Sequence, residues 1–420
     1  MARYQKTYIN YFFKIQILKV PIINNDWKFD VYQNENIMIS THYLLLLSAV
    51  AVYLVGTAEF MLSAILSPLA NVFHVQPDQI AWLISAYALA YTLAAPIIGF
   101  LSDRIDKRKI VLMALLLLSL DSLVIIFAPN LLIALVLRGF GGLASAALVP
   151  VIFALIADVM SESKQAAAMG NIMMGMTVGI ITGPIIAGAL VQYFAWYAPF
   201  IYTAVGCLVV FIIGIFTLPR SQKVTSKKLS FIAIKQKGIV RLILAKGLWN
   251  GVSVCMFLLA GEILRQRSHL ESVEVGSLMG LFGVGLLCGN GLVARIERIK
   301  TSNNTKLIVI ILIIMAAIML FLSGWLSLIG HGLCLTILGG MLGLASPIST
   351  SMLARQSAEN KGFVLSISES VNNLVLLSAL PVFSLFFSKG HLVISMIMIV
   401  IFLSSAIFLV FPTRQRKDRE

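Results

Sequence analysis

Apolar runs of about 20 residues follow one another along the chain, separated by short breaks that carry charge, proline or glycine. At 1.5 Å per residue, a helix of that length crosses a hydrocarbon layer of about 30 Å. The pattern predicts twelve spans, near residues 43–70, 78–101, 109–128, 130–157, 165–190, 197–218, 239–262, 274–294, 307–328, 331–352, 362–386 and 391–411. Barrel strands would alternate polar and apolar positions over about 10 residues. No such alternation occurs, so the expected class is an all-α integral membrane protein with twelve transmembrane helices.

Composition agrees: of 420 residues, 59% are hydrophobic and only 12% charged, which excludes an ordinary soluble protein. With both termini inside, 27 of the 32 Lys and Arg residues fall on inner segments, whereas the outer loops hold Arg265, Arg267 and Lys389. This is the positive-inside signature of a multi-pass cell-membrane protein with cytoplasmic termini. The net charge of +14 then reads as topology and contact with anionic lipid headgroups. No nucleic-acid-binding module accompanies it. Cys207, Cys255, Cys288 and Cys334 fall within spans without CxxC spacing, so they read as apolar packing residues and no disulfide is expected.

Residues 1–42 form an N-terminal extension, of which 1–37 mix aromatics with polar residues ahead of Met38. Either translation begins at Met38 or this segment is an interfacial anchor. Two six-helix bundles follow, at 43–218 and 239–411, joined by a basic linker at 219–238 that is expected to hold a short surface helix, with a tail at 412–420. Faint repetition supports two related halves. "GFLSDRIDKRK" follows the second span and "GNGLVARIERIK" the eighth. A binding site between such halves, at mid-depth, is a transporter plan.

The candidate chemistry lies in charges that the membrane should exclude. Glu59 sits about 16 residues into the first span, roughly 24 Å from its inner end. Holding a charge there costs about 2.5–3.5 kcal/mol, so such an acid faces a polar cavity or a partner. It is either a structural ion pair or a carboxyl that loads and releases protons as its surroundings change. Arg138 lies roughly 12 Å below the outer end of the fourth span and is the expected counter-charge. Asp121, roughly 18 Å up the third span, competes for it. A structural role is expected for Asp121; if it faced the cavity it would be a second proton or cation site. In the eleventh span Glu369 shares a helix face with Asn372 and Asn373, a cluster that is either helix glue or substrate contact. Lys246 is near enough to the inner end to snorkel, and Trp249 and Asn250, a turn deeper, are weaker substrate-contact candidates.

Other chemistry finds no support. There is no HExxH or GxSxG string, and the five histidines fall at or near helix ends, so neither an enzyme nor a metal or cofactor site is expected. Gly175, Gly179 and Gly183 form one stripe of the fifth span, suited to close helix packing. Pro184 follows and can bend the helix.

Four stretches together carry a resemblance: "GTAEFMLSAILSPLA" from Gly56, "GFLSDRIDKRK" from Gly99, "LVLRGFGGLASAALVP" from Leu135 and "GMTVGIITGPIIAG" from Gly175 to Gly188. In this order and on these spans they resemble the major facilitator superfamily, in its twelve-span bacterial proton-antiporter branch of drug and sugar efflux proteins. Asp106 stands where the family has its second loop glycine. The resemblance implies several roles: Glu59, with Arg138, for proton coupling, whereas the family has no general acid at Asp121; Gly99, Asp103, Arg104, Lys107, Arg108 and Asp158 for a cytoplasmic latch in which Lys107 or Arg108 bridges to Asp158; and Gly175, Gly179, Gly183, Pro184 and Gly188 for the antiporter motif that seals the two halves. The expected activity is export of a small organic molecule (a drug, a sugar or a metabolite such as a siderophore) against protons, by a monomer in the lipid bilayer without nucleic acid. A proton-coupled importer and a non-transporting membrane sensor are the rival readings.

Overall fold

In lipid a backbone can satisfy its polar groups only within itself, so each apolar run coils into a helix. The computed structural model describes residues 41–102, 105–160, 162–220, 237–356 and 361–411. The N-terminal extension through residue 40, residues 221–236 of the linker, the 412–420 tail, Asp103 and Arg104 lie outside them. The long helices are α1 (Thr41–Phe60), α2 (Trp82–Ser102), α3 (Lys107–Val124), α4 (Leu131–Val159), α5 (Glu162–Tyr193), α6 (Ala198–Thr217), α7 (Lys237–Ser268), α8 (Ser272–Glu297), α9 (Asn303–Leu322), α10 (Leu328–Gln356), α11 (Lys361–Ser388) and α12 (Leu392–Val410). Among the described residues, twelve helices are long and apolar enough to cross a membrane, and they match the expected spans to within a few residues at most ends.

Two ends differ for local reasons. The first span was expected to run to residue 70, but regular α1 stops at Phe60, directly after Glu59. A tight turn at Met61–Ala64 and a short helix at Leu66–Phe73 follow, ending on His74 in left-handed backbone. The seventh runs on to Ser268, so Arg265 and Arg267, assigned above to an outer loop, belong to its last turn. Arg267 stays there because its guanidinium donates to the free carbonyls that end α9, Phe321 O at 3.2 Å and Leu322 O at 2.8 Å.

Helix contacts repeat. In the first half α1 packs on α5 and α6, α2 on α4, and α3 on α4 and α6. In the second, α7 packs on α11 and α12, α8 on α10, and α9 on α10 and α12. Adding six to each number of the first set yields the second. The two large contacts between halves, α5 with α8 and α2 with α11, exchange under the same operation. Two six-helix bundles related by pseudo-symmetry are therefore built into the packing.

Glycines set the closest approaches. A methyl group on Gly175 would meet the carbonyl oxygen of Ala49, on Gly179 that of Tyr53, and on Gly183 the Thr57 Cα at 3.1 Å. The stripe therefore seats α5 on α1 of its own bundle. This corrects the expectation that the whole stripe seals the two halves; only its far end does so. Gly188 abuts the carbonyl of Ser272 on α8, and Gly276 of α8 abuts that of Pro184. Gly280 and Gly283 continue the seam against Ile185 and Ile181, so three of these four seam glycines come from α8.

Candidate functional site

Glu59 occupies the last turn of α1, half-buried, within electrostatic reach of Arg138 of its own bundle and Glu369 of the other. Tyr87 and Tyr91 of α2 feel its charge as well. Among the described residues no hydrogen bond or ion pair forms on its carboxylate. This departs from the expectation that Arg138 neutralises it.

Arg138 is otherwise engaged. It is 1% exposed, and its Nη1 donates to Asp121 Oδ2 at 2.9 Å. Its Nη2 donates to the carbonyl of Ala58 at 2.5 Å, and the guanidinium lies 4.9 Å from the centre of the Tyr87 ring. One cation thus ties α4 to α3 and α1 and stacks on α2. A buried guanidinium needs this many partners, because a charge taken from water without them is expensive. Gly141 makes room for the pair: a side chain there would meet the Asp121 carboxylate.

The second bundle holds a corresponding pair. Lys246 of α7 donates to Glu369 Oε1 of α11 at 2.8 Å and to Thr350 Oγ1 of α10 at 3.3 Å. Asn372 donates to Glu369 Oε2 at 2.8 Å, and Asn373 to the backbone carbonyl of Glu369 at 3.1 Å. The expected snorkelling of Lys246 is corrected: its side chain is 1% exposed, because a counter-ion within the membrane removes the need to reach water. Trp249, taken above as a substrate contact, is instead fully buried in an apolar core to which both halves contribute. Asn250 beside it is half-buried.

Both cations are buried, Arg138 and Lys246 each 1% exposed, whereas the Glu369 side chain is 47% exposed and Glu59 is half-buried. Of these charged groups, the ones with exposed surface are acids.

At the end of the bundle that carries the basic loops, Lys107 pairs with Asp158 at 2.6 Å. The Arg108 guanidinium donates to the carbonyl of Ile215 at the end of α6. The expected bridge to Asp158 is thus made by Lys107 and not by Arg108, and these two contacts brace α3, α4 and α6 within the first bundle. Asp106, in place of the family's glycine, caps α3 by accepting from the backbone N–H of Arg108 at 3.1 Å. Gly99 lies near the end of α2.

At the opposite end the halves are fastened together by residues that the sequence reading missed. Ser67 Oγ donates to Glu262 Oε2 at 2.5 Å, and Arg265 donates to the carbonyl of Ala64 at 3.0 Å. The Gln192 amide donates to Glu271 and accepts from the backbone N–H of Val273, the latter at 2.9 Å. Deeper, Thr92 donates to the carbonyl of Ser370 at 3.4 Å. Among the described residues, no group of three or more potential metal ligands gathers.

The Major Facilitator Superfamily family model matches residues 48–378. The chain belongs to this superfamily. "Uncharacterized MFS-type transporter YceJ" of Bacillus subtilis is 26% identical over 253 residues, covering 58% of this chain and 64% of that protein. "Multidrug resistance protein 2" of the same organism is 24% identical over 187 residues, covering 44% of this chain and 46% of that one. The chain thus spans about half to two thirds of the length of these curated relatives. Among solved structures, a bacterial homolog of the human lysosomal transporter Spinster, inward-facing and occupied, superposes with a TM-score of 0.69 over 90% of this chain and 97% of that one. At 17% identity this is a likeness of fold. The two internal ion pairs of this superfamily member lie on α3 and α4 in the first half and on α7 and α11 in the second.

Proposed function

We propose that this protein is a secondary active transporter of the cell membrane. A monomer with cytoplasmic termini would export a small organic molecule in exchange for protons, its two bundles rocking about the central cavity. Glu59 is the coupling group. The observation that carries this reading is a carboxylate at mid-membrane with no partner, flanked by a cation already held by another acid. Proton and substrate then compete for Glu59, and each prefers one of the two access states, which suffices for coupling.

The exposed surface of these acids favours a cationic amphipathic cargo over an anion, because Arg138 and Lys246 are both shielded. Glu369 with Asn372 and Asn373 would meet the cargo from the second bundle, and Asn250 is a further contact. The hydrogen bonds between halves support a state closed outside and open towards the cytoplasm, with the Lys107–Asp158 brace on the cytoplasmic side.

Accumulation of tetraphenylphosphonium, a lipophilic cation, in whole cells tests the direction. Cells expressing the parent protein should hold less of it than cells expressing Glu59→Gln. More tracer in the parent cells would reverse the direction to import.

A further inference from the structure

Asp121 is an acid in the interior of the first bundle, its side chain 0% exposed, and it has no place in the exchange just described. It does not reach the cavity. What it touches is Arg138, and among the described residues Arg138 is the cation whose charge acts on Glu59. The guanidinium already grips the carbonyl of Ala58, the residue next to Glu59, and its Nε–H has no hydrogen-bond partner. A guanidinium with an idle donor beside a bare carboxylate should turn to it, since charge-assisted bonds are among the strongest available to a side chain. It is held back by a second carboxylate, fixed on the far side by α3 and given space by Gly141.

We propose that Asp121 is a positioning residue for the proton site: by anchoring Arg138 it keeps this cation off Glu59, so that Glu59 faces the cavity without a counter-ion. The inference rests on the reading of Glu59 as the proton-exchanging group. Asp121 itself carries no proton in the cycle. Its charge is needed because a neutral side chain would leave Arg138 free to pair with Glu59, and a paired Glu59 would no longer accept protons readily.

A substrate-independent reagent tests this. Dicyclohexylcarbodiimide couples to a protonated carboxyl in an apolar setting, and mass spectrometry of the whole protein in detergent reads its attachment to Glu59. In the parent protein Glu59 should be labelled. In Asp121→Asn the labelling should fall by roughly tenfold or more, the effect of a cation brought within about 4–6 Å of a carboxyl. In Asp121→Asn with Arg138→Gln, which removes the competing cation as well, it should return towards the parent level. Gly141→Ala reaches the same end by another route, since the added methyl group displaces the Asp121 carboxylate without removing its charge. It serves if Asp121→Asn does not fold.

Labelling that is unchanged in Asp121→Asn, or equally low in the double variant, would overturn the inference. A merely structural role for Asp121 predicts no recovery in the double variant. If Glu59 is not labelled in the parent protein, the proton-site reading itself fails and the inference falls with it. These two failures are told apart by the parent sample alone.

Discussion

Lys246 and Glu369 meet at 2.8 Å across α7 and α11, the lysine 1% exposed and the glutamate 47%. The asymmetry matters more than the distance. Either residue can lose its partner, but only one of them is then stranded.

Glu369→Gln leaves an ammonium group in an apolar interior, and breaking a buried pair in this way costs about 3–5 kcal/mol. Lys246→Met leaves a carboxylate that is already half exposed and keeps the Asn372 amide; about 1 kcal/mol is expected, the range of a half-exposed pair. Thermal unfolding in detergent should therefore rank parent above Lys246→Met, and Lys246→Met above Glu369→Gln. The double variant should recover most of the loss, since both charges are gone. The reverse ranking would mean that the lysine is the wetter partner.

Lys107 and Asp158 brace α3 against α4 within one bundle. Asp158→Asn should lower stability by about 1–2 kcal/mol, less than for a fully buried pair because the acid is 25% exposed. Exchanging the two residues, Lys107→Asp with Asp158→Lys, should restore part of it. The accessibility of the far end should not change in either protein. A shift there would return the pair to the role of a latch between halves.

The glycines of α5 divide by partner. Gly179→Val would collide with α1 in the same bundle, and overpacking of this kind costs about 1–3 kcal/mol, so the melting temperature should fall. Gly188→Val would instead wedge α5 from Ser272 of α8 and favour separation at the sealed end. Labelling of a Ser67→Cys reporter, in a background with the exposed Cys288 replaced by Ala, should rise in Gly188→Val and stay low in Gly179→Val. Equal labelling in both would refute the division.

The architecture was largely legible from the chain, because a membrane span must be long, apolar and helical, and few alternatives survive those demands. The meeting of Asp121 with Arg138 was within reach too, since their depths on sequential helices nearly coincide. The same depth arithmetic applied to the second half would have found its pair. Lys246 is nine residues into α7 and Glu369 eight residues into α11, both entering from the basic end. Counting from one end alone suggested snorkelling instead. Which helix a glycine faces was not legible: Gly183 and Gly188 read alike in sequence, yet one meets α1 and the other α8. The fastening by Gln192, Ser67, Glu262 and Arg265 was missed because those residues stand at helix ends, where polar side chains are ordinary. Trp249 misled because an aromatic near a polar residue suits a binding surface and a packed core equally well.

The central claim is that Glu59 gives up or takes up a proton in exchange for cargo. Purified protein in lightly buffered detergent, titrated with tetraphenylphosphonium while the pH of the solution is followed, measures this directly. The parent protein should release protons in proportion to the cation bound, and Glu59→Gln should release none while its thermal unfolding stays cooperative. Undiminished release from Glu59→Gln would contradict the account.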